Sequence, residues 1–261
     1  QKRITYDIMR PLRRPGAICS NDAKSCFDRI VHSVACLAYE RLGIPKPPVH
    51  CMFRSIQNMK HHVRTTFGDS RITTDTRGSL IPYQGVLQGN GAAPTTCVII
   101  STPLLEMLRA ADNGGHFISP ITKESSHLVG YAYVDDTDLL QFDMRNNMIT
   151  ARHTMEQMQM TINRWEGGLK ATGGAIVPNK NWVYPIDFNF DRNGRWKYKK
   201  RNEINYEFTV KDENDNENAL QMLDPSEGEK TLGVILAPDG NNKAAVKELR
   251  EKSLHWGNLI K

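Results

Sequence analysis

The sequence lacks a long apolar segment. No apolar run approaches the roughly 18 residues that a membrane-spanning helix needs, and residues 1–6 contain no apolar core of the kind found in signal peptides. We therefore predict no membrane partner. Internal repeats and low-complexity tracts are also missing, so 261 residues are expected to form one large domain or two small ones.

Cysteine and histidine motifs typical of metal sites are missing as well. The five cysteines are odd in number and never occur as Cys-x-x-Cys, which favours reduced, buried thiols in an intracellular protein, cytoplasmic or nuclear. His61 and His62 are adjacent, but no further ligand follows at a useful spacing, and zinc sites need three or four ligands. We interpret this pair as ordinary surface residues.

Charge is unevenly distributed along the chain. The formal net charge is +5, yet residues 201–230 contain nine Asp or Glu and three Lys or Arg, so they carry −6 and the other residues carry +11. A basic body of this kind favours a polyanionic partner. The acidic segment is predicted to be a solvated hairpin or loop.

Hydrophobic periodicity predicts an α+β fold. Helices are predicted at 28–42, 45–60, 95–111, 147–171 and from 242 onward. Strands are predicted at 18–22, 62–67, 71–76, on both sides of the turn in 131–140, and at 182–190 and 231–236. The order β-α-β-β-α-β is that of a ferredoxin-like or RRM-like antiparallel sheet with helices on one face, here with an inserted β-hairpin region.

Two acidic stretches stand at the ends of predicted strands. Asp135 and Asp136 form the tip of a predicted hairpin, and Asp22 ends the first strand, six residues before a helix that Asp28 is well placed to cap. In such a sheet Asp22 and Asp135 converge on one edge. Because neighbouring carboxylates repel each other, we expect a divalent cation there, Mg²⁺ or Mn²⁺. A polar hairpin turn without metal is the alternative.

The reaction that such a site serves is in-line nucleotidyl transfer, for which two metal ions are held between two carboxylates. Residues 83–94 contain three glycines among small and amide residues, which permits close approach of the backbone to a ligand. A flexible loop is the alternative interpretation of this stretch.

Five stretches, in order, resemble the motifs of reverse transcriptases. Residues 22–28 resemble the first palm motif, residues 85–94 the Gln-Gly…Pro motif and residues 133–136 the Tyr-x-Asp-Asp box. Residues 179–180 are similar to the fourth motif, and residues 230–233 to the Leu-Gly strand before the thumb. The likeness covers residues 18–237 and is greatest to retrotransposon-derived enzymes of the non-LTR or group II type.

The resemblance implies the palm of an RNA-directed DNA polymerase, which transfers dNTPs to the 3′-hydroxyl of a DNA or RNA primer on an RNA template. Asp22 and Asp135 would bind two Mg²⁺ or Mn²⁺ ions, with Asp136 as a supporting carboxylate. Ala23 would contribute its backbone carbonyl. Lys180 would donate a proton or charge to the leaving pyrophosphate; a surface lysine is the alternative.

The same resemblance assigns residues to the substrates. Phe27 would lie under the incoming sugar and exclude a 2′-hydroxyl. Gln88 and Gly89 would line the template and nucleotide pocket, and Tyr133 would lie beside the substrate. Residues 91–93, Gly-Ala-Ala, replace the Ser-Pro that many relatives carry, which leaves the geometry of this loop open.

The resemblance also divides the chain into domains. Residues 1–17 would be the remnant of an upstream fingers segment and residues 18–237 the palm, with a fingers-side insertion at 44–84 and a β-rich, acidic insertion at 185–229. Residues 238–261 would begin a thumb helix. The first residue is not Met, so we expect the remaining fingers, thumb and any nuclease domain in other parts of a longer protein, and weak activity from this chain alone.

Two other functions compete with this interpretation. RNA-directed RNA polymerases usually carry Asp five residues after the first catalytic Asp, where this chain has Phe27, which favours deoxynucleotides. A domesticated nucleic-acid-binding scaffold without catalysis would typically lose its catalytic carboxylates, and all three are present here.

Overall fold

The computed structural model of the protein describes residues 2–76, 83–87 and 89–259. Its helices are α1 (Lys2–Leu12), α2 (His32–Arg41), α3 (Lys46–Gln57), α4 (Ala93–Ala110), α5 (Ala151–Ala171) and α6 (Lys243–Leu259). Its strands are β1 (Gly16–Asp22), β2 (His61–Thr65), β3 (Gly68–Thr74), β4 (Gly115–Ile118), β5 (Ser125–Leu128), β6 (Gly130–Tyr133), β7 (Asp136–Asp143), β8 (Trp182–Ile186), β9 (Phe188–Phe190), β10 (Trp196–Tyr198), β11 (Thr209–Lys211), β12 (Glu217–Ala219), β13 (Gln221–Met222), β14 (Glu229–Thr231) and β15 (Val234–Leu236). The predicted α+β class is confirmed. Of the helices in the described ranges, none is long and apolar enough to cross a bilayer.

A mixed sheet forms the centre of the molecule. Its strands lie in the order β13, β8, β1, β7, β4, β5, and β6 pairs with β7. Most neighbours are antiparallel, but β4 is parallel to β7 and β13 is parallel to β8. The predicted all-antiparallel sheet is therefore wrong. The chain passes from β5 into β6 with one residue between them, so β7 regains the direction of β4 and the two pair in parallel.

One face of the sheet is covered by α4 and α5. The apolar stripe predicted along the longest helix is buried, from Met155 through Met158 and Ile162 to Trp165. It packs on residues of β1, β7 and β8 whose side chains point to that face. Thr150 caps α5 by accepting a hydrogen bond from the His153 N–H at 3.2 Å. This packing fixes the ends of β1 and β7 against a rigid layer.

The opposite face is covered by α1, so the prediction of helices on one face only is wrong. Tyr6 and Met9 of α1 are buried against Leu140, Phe142 and Tyr184. The reason is visible in β7, where Leu139 and Leu140 are both buried although they point to opposite faces. A sheet that is apolar on both faces needs a covering layer on each. The basic N-terminal segment supplies the second one.

A third cluster joins α2, α3 and the first half of α4. Its buried residues include Ile30, Tyr39, Phe53 and Ile100. The predicted hairpin in this part of the chain is present as β2 and β3, although its turn falls at 66–67 and its apolar residues, such as Phe67, are exposed. Residues 77–82 of the fingers-side insertion lie outside the described residues.

The acidic segment is folded onto the core, and the prediction of a solvated hairpin or loop is wrong for its apolar residues. β11 and β12 form a hairpin, and Phe208, Val210 and Leu220 are buried against α5. The residues that face solvent are mostly the charged and amide residues of the turn between the two strands, at 213–217. The predicted strand 231–236 is also wrong: Leu232 and Gly233 have φ of 49° and 83° and turn the chain, so that β14 and β15 pair as a hairpin before α6.

Candidate functional site

The hairpin predicted around the adjacent carboxylates is formed by β6 and β7. Tyr133 pairs with Asp136, which leaves Val134 and Asp135 as the two turn residues. The predicted tip, Asp135 and Asp136, is therefore wrong by one residue, since Asp136 begins β7. Val134 has φ of 60°, a left-handed conformation that costs a β-branched residue roughly 1–2 kcal/mol. Strain of this kind persists where the surrounding structure fixes the backbone, and it is common at functional turns.

The structure brings Asp22 beside this turn. β1 and β7 are antiparallel neighbours, and the last pair of their register is Asp22 opposite Asp136. Asp135 immediately precedes Asp136 in the turn, so three carboxylates gather at one end of the two central strands. This is the convergence that the order of elements predicted.

The electrostatics show that the carboxylates crowd one another. Partial desolvation, and then the negative charges of Asp135 and Asp22, raise the pKa of Asp136 above its ordinary value. Lys180 supplies a counter-charge, because its Nζ lies 3.0 Å from Oδ2 of Asp22. The lysine side chain is 64% exposed and can leave this contact without unpacking the core.

Asn181 and the chain after β1 hold Asp22 in place. The backbone N–H of Asp22 donates to Oδ1 of the buried Asn181 at 2.6 Å. Beyond it, Ala23 forms a bridge with Ile176, and the Lys24 N–H donates to the Ala175 carbonyl at 2.8 Å. Sequence reasoning missed Asn181. Its signal was an amide directly before an apolar strand and directly after Lys180.

A small cavity of about 40 Å³ lies behind the turn. Ala23 and Asp135 both line it, together with Val134, Cys26 and Thr137. The backbone of Ala23, predicted to offer a carbonyl to a metal, is therefore close to Asp135 as well as adjacent to Asp22. The far wall of the cavity is apolar, with Leu104 and Trp165.

The first and second motifs are joined by backbone hydrogen bonds. The Gly85 N–H donates to the Ile30 carbonyl, and the Val86 N–H donates to the Phe27 carbonyl, both at 2.7 Å. Gly85 has φ of 82°, and a Cβ at this position would lie 2.7 Å from the backbone of Asp28. Only glycine fits this close approach. The glycine-containing stretch is thus tied to the loop that follows Asp22.

His32 is a second residue that sequence reasoning missed. It is buried, its Nε2 lies 2.5 Å from the Gly85 carbonyl, and its Nδ1 lies 2.9 Å from Nε2 of Gln57. Nε2 therefore donates and Nδ1 accepts, which defines a neutral imidazole. Burial lowers the pKa of His32 and favours that neutral form. Through Gln57 and the Gly85 carbonyl, His32 links α3 to the glycine-containing stretch.

The residues predicted to contact the substrates differ from one another in burial and in position. Phe27 is partly buried and packs on the α2–α4 cluster, as do Leu87 and Val134. Gly89 has φ of 89° and open space around it. Tyr133 is 61% exposed at the hairpin. Gln88 lies outside the described residues.

The donor set of this cluster fits a divalent metal. Carboxylate and carbonyl oxygens suit Mg²⁺ or Mn²⁺, and a cation would relieve the repulsion that raises the pKa of Asp136. Asp22, Asp135 and Asp136 do not form a group whose ligand oxygens all lie within 4.8 Å of one another. Coordination of one ion by all three would therefore require them to move closer.

Comparison of the chain with models of known protein families and with curated proteins gave no match.

Proposed function

We propose that this chain is the palm of an RNA-directed DNA polymerase, a reverse transcriptase of a retroelement. The observation that carries the proposal is the register of β1 and β7, in which Asp22 lies opposite Asp136 beside the Asp135 turn. In this proposal the central sheet with α4 and α5 is the palm, residues 44–84 lie on the fingers side, and α6 begins the thumb.

Asp22 and Asp135 are the metal ligands in this proposal, with the Ala23 carbonyl and with Asp136 in support. Two bound divalent cations would activate the primer 3′-hydroxyl and stabilise negative charge on the leaving pyrophosphate. The protein's part is to hold the carboxylates at adjacent strand ends, where packing on α5 limits their movement.

In this proposal Lys180 pairs with the Asp22 carboxylate before the reaction and with the leaving pyrophosphate during it. Without substrate its ammonium group neutralises Asp22 at 3.0 Å. If a dNTP and metal ions occupied the site, the exposed lysine would be released from Asp22 and would donate a proton or charge to pyrophosphate. Such a group contributes by electrostatic stabilisation of the charge that develops on the leaving group.

Phe27 selects the sugar. The Val86 N–H donates to the carbonyl of Phe27, and the ring packs on the same buried cluster as Val134 of the catalytic turn. A fixed aromatic ring leaves no space for a 2′-hydroxyl, so dNTPs are preferred. This observation favours a DNA product over the RNA product of an RNA-directed RNA polymerase.

The partners are an RNA template, a DNA or RNA primer, and dNTPs. The +11 charge outside residues 201–230 favours contacts with phosphates, which give affinity without sequence information. A non-catalytic nucleic-acid-binding scaffold is the second candidate, and the observation in its favour is the ion pair between Lys180 and Asp22, which neutralises a metal ligand.

Primer extension separates these candidates. We expect the chain to extend a primed RNA template slowly in Mg²⁺ or Mn²⁺, and Asp135→Asn to reduce extension to background because the charge that holds the metal is gone. Asp191→Asn is the matched control. Asp191 lies in the exposed β9–β10 turn, where its side chain accepts hydrogen bonds that Asn can also accept. Equal extension by Asp135→Asn and wild type would refute catalysis at this site.

A further inference from the structure

A second cluster of side chains of the types that bind metals lies where α4 leads into β4, near the end of β7 opposite Asp136. His116 of β4 and His127 of β5 are direct partners in the antiparallel register. Their rings stack with centroids 4.1 Å apart and planes inclined by 20°. Asp112, just after α4, has φ of 55° and brings its carboxylate to the same place.

His116 is buried and its Nε2 has no hydrogen-bond partner among the described residues. This nitrogen lies 3.2 Å from Oδ1 of Asp112, without hydrogen-bond geometry. Two ligands on a tetrahedral zinc ion, with metal–ligand distances of about 2.0–2.2 Å, are about 3.3–3.5 Å apart. The contact therefore has the separation of two zinc ligands, and a metal would provide the missing partner of the buried nitrogen.

Neighbouring groups hold the other two side chains at this place, and the His127 ring, which stacks on that of His116, would turn for both imidazoles to point at one ion. Nε2 of His127 lies 2.8 Å from the Asn113 carbonyl, so it carries the hydrogen and leaves the lone pair on Nδ1. Arg145 donates to both carboxylate oxygens of Asp112, to Oδ2 at 3.0 Å and to Oδ1 at 3.4 Å, and Oδ1 also faces His116. Backbone carbonyls and charged partners in these positions fix the tautomer and direction of metal ligands.

We propose that Asp112, His116 and His127 bind one Zn²⁺ or a similar transition-metal ion, separate from the carboxylate site. One ligand atom of each residue lies within 4.8 Å of the other two. Two imidazoles and a carboxylate suit zinc and do not suit Mg²⁺, which prefers oxygen ligands. A solvent molecule or another small ligand would complete the tetrahedron.

The bound ion would act as a structural link. It would join the end of α4 to both strands of the β4–β5 hairpin, which is the outer edge of the sheet. Because the ligands come together only in the folded chain, metal binding should stabilise the fold.

The experiment uses chelator-treated protein carrying Asp22→Asn and Asp135→Asn, so that the carboxylate site does not contribute. Co²⁺ is titrated and followed by its visible absorption, and Zn²⁺ is then added in competition. We expect one ion per chain, absorption typical of four-coordinate Co²⁺ with nitrogen ligands, and a higher Tm with Zn²⁺.

His127→Gln and Asp112→Asn are the test variants. In His127→Gln the imidazole is absent, but the Gln amide can still donate a hydrogen bond to the Asn113 carbonyl. Neither variant leaves a cavity in the core, as replacement of the buried His116 by a smaller residue would. Each should weaken binding at least tenfold, whereas His153→Ala, at an exposed position of α5, should bind as the parent does. Absence of a one-to-one complex in the parent, or unchanged affinity in both test variants, would overturn the proposal.

Discussion

Asp136 is the residue of the candidate site whose ionisation is opposed both by partial desolvation and, after it, by the neighbouring carboxylates. Its pKa in the folded protein lies above the ordinary 3.8. The ionised carboxylate therefore destabilises the fold, and this cost grows as the pH rises through 3.8 and is complete above the folded-state pKa. Below 3.8 the group is protonated in both states and the cost vanishes.

Replacement of Asp136 by Asn should stabilise the metal-free protein. Near neutral pH, in EDTA, we expect Tm to rise by about 1–2 °C, a modest effect because the side chain is exposed and its charge is screened. The gain should shrink as the pH is lowered toward 3.8. Asp191→Asn serves as the control for loss of one exposed carboxylate. A Tm at or below that of wild type at pH 7 would contradict the crowding of charge.

Phe27 gives a second prediction at the scale of the single residue. Under the proposed function, Phe27→Ala should admit ribonucleotides, because the ring that would exclude the 2′-hydroxyl is removed. A misfit of one group is worth roughly 1–3 kcal/mol, or about 10–200-fold in selectivity. The measurement compares incorporation of rGTP and dGTP by wild type and variant. An unchanged preference would show that Phe27 does not contact the sugar.

Among the elements, the β11–β12 hairpin has a role that its composition did not indicate. Glu213, in the turn of this hairpin, forms ion pairs with Lys24 and with Arg29, the latter at 3.0 Å. Both cations belong to the loop that follows Asp22. The acidic insertion therefore neutralises two basic residues close in sequence to Asp22. If the chain binds nucleic acid as proposed, these ion pairs would compete with phosphates.

Glu213→Gln should free these two cations for nucleic acid. Binding of a primed duplex is measured by titration at several salt concentrations, and the slope of log K against log salt counts the phosphates neutralised. We expect wild-type affinity to fall with salt, and the slope of Glu213→Gln to be steeper by about one to two units. Glu217→Gln, at an exposed position in the same hairpin, is the control. Identical slopes for both variants would contradict the account.

Local sequence patterns predicted many of the helices and hairpins. The longest helix, α5, and the hairpin at Asp135 follow from residue spacing within one segment, and both are present. The cover of the second sheet face by α1 depends on contacts between residues far apart in sequence, such as Met9 with Phe142. No local pattern contains that information.

At the scale of the whole molecule, the candidate site also combines residues that could be predicted from the sequence with residues that could not. Asp22 and the Asp135 turn were predictable because strand order alone places them side by side. Asn181 and His32 were not, because their roles arise from hydrogen bonds to distant backbone groups, at Asp22 and Gly85 respectively. The His116–His127 pair depends on the register of two short strands that the sequence did not reveal.

The central claim is that Asp22 on β1 and the β6–β7 turn hold a common metal. Iron-directed cleavage tests it most directly, because Fe²⁺ in a Mg²⁺ site generates radicals with ascorbate and cuts the nearest backbone. The account predicts fragments from cuts near residue 22 and near residue 135, both suppressed by excess Mg²⁺ and both lost in Asp22→Asn. Cuts at only one of these positions, or cuts at residue 135 that persist in Asp22→Asn, would contradict a shared site.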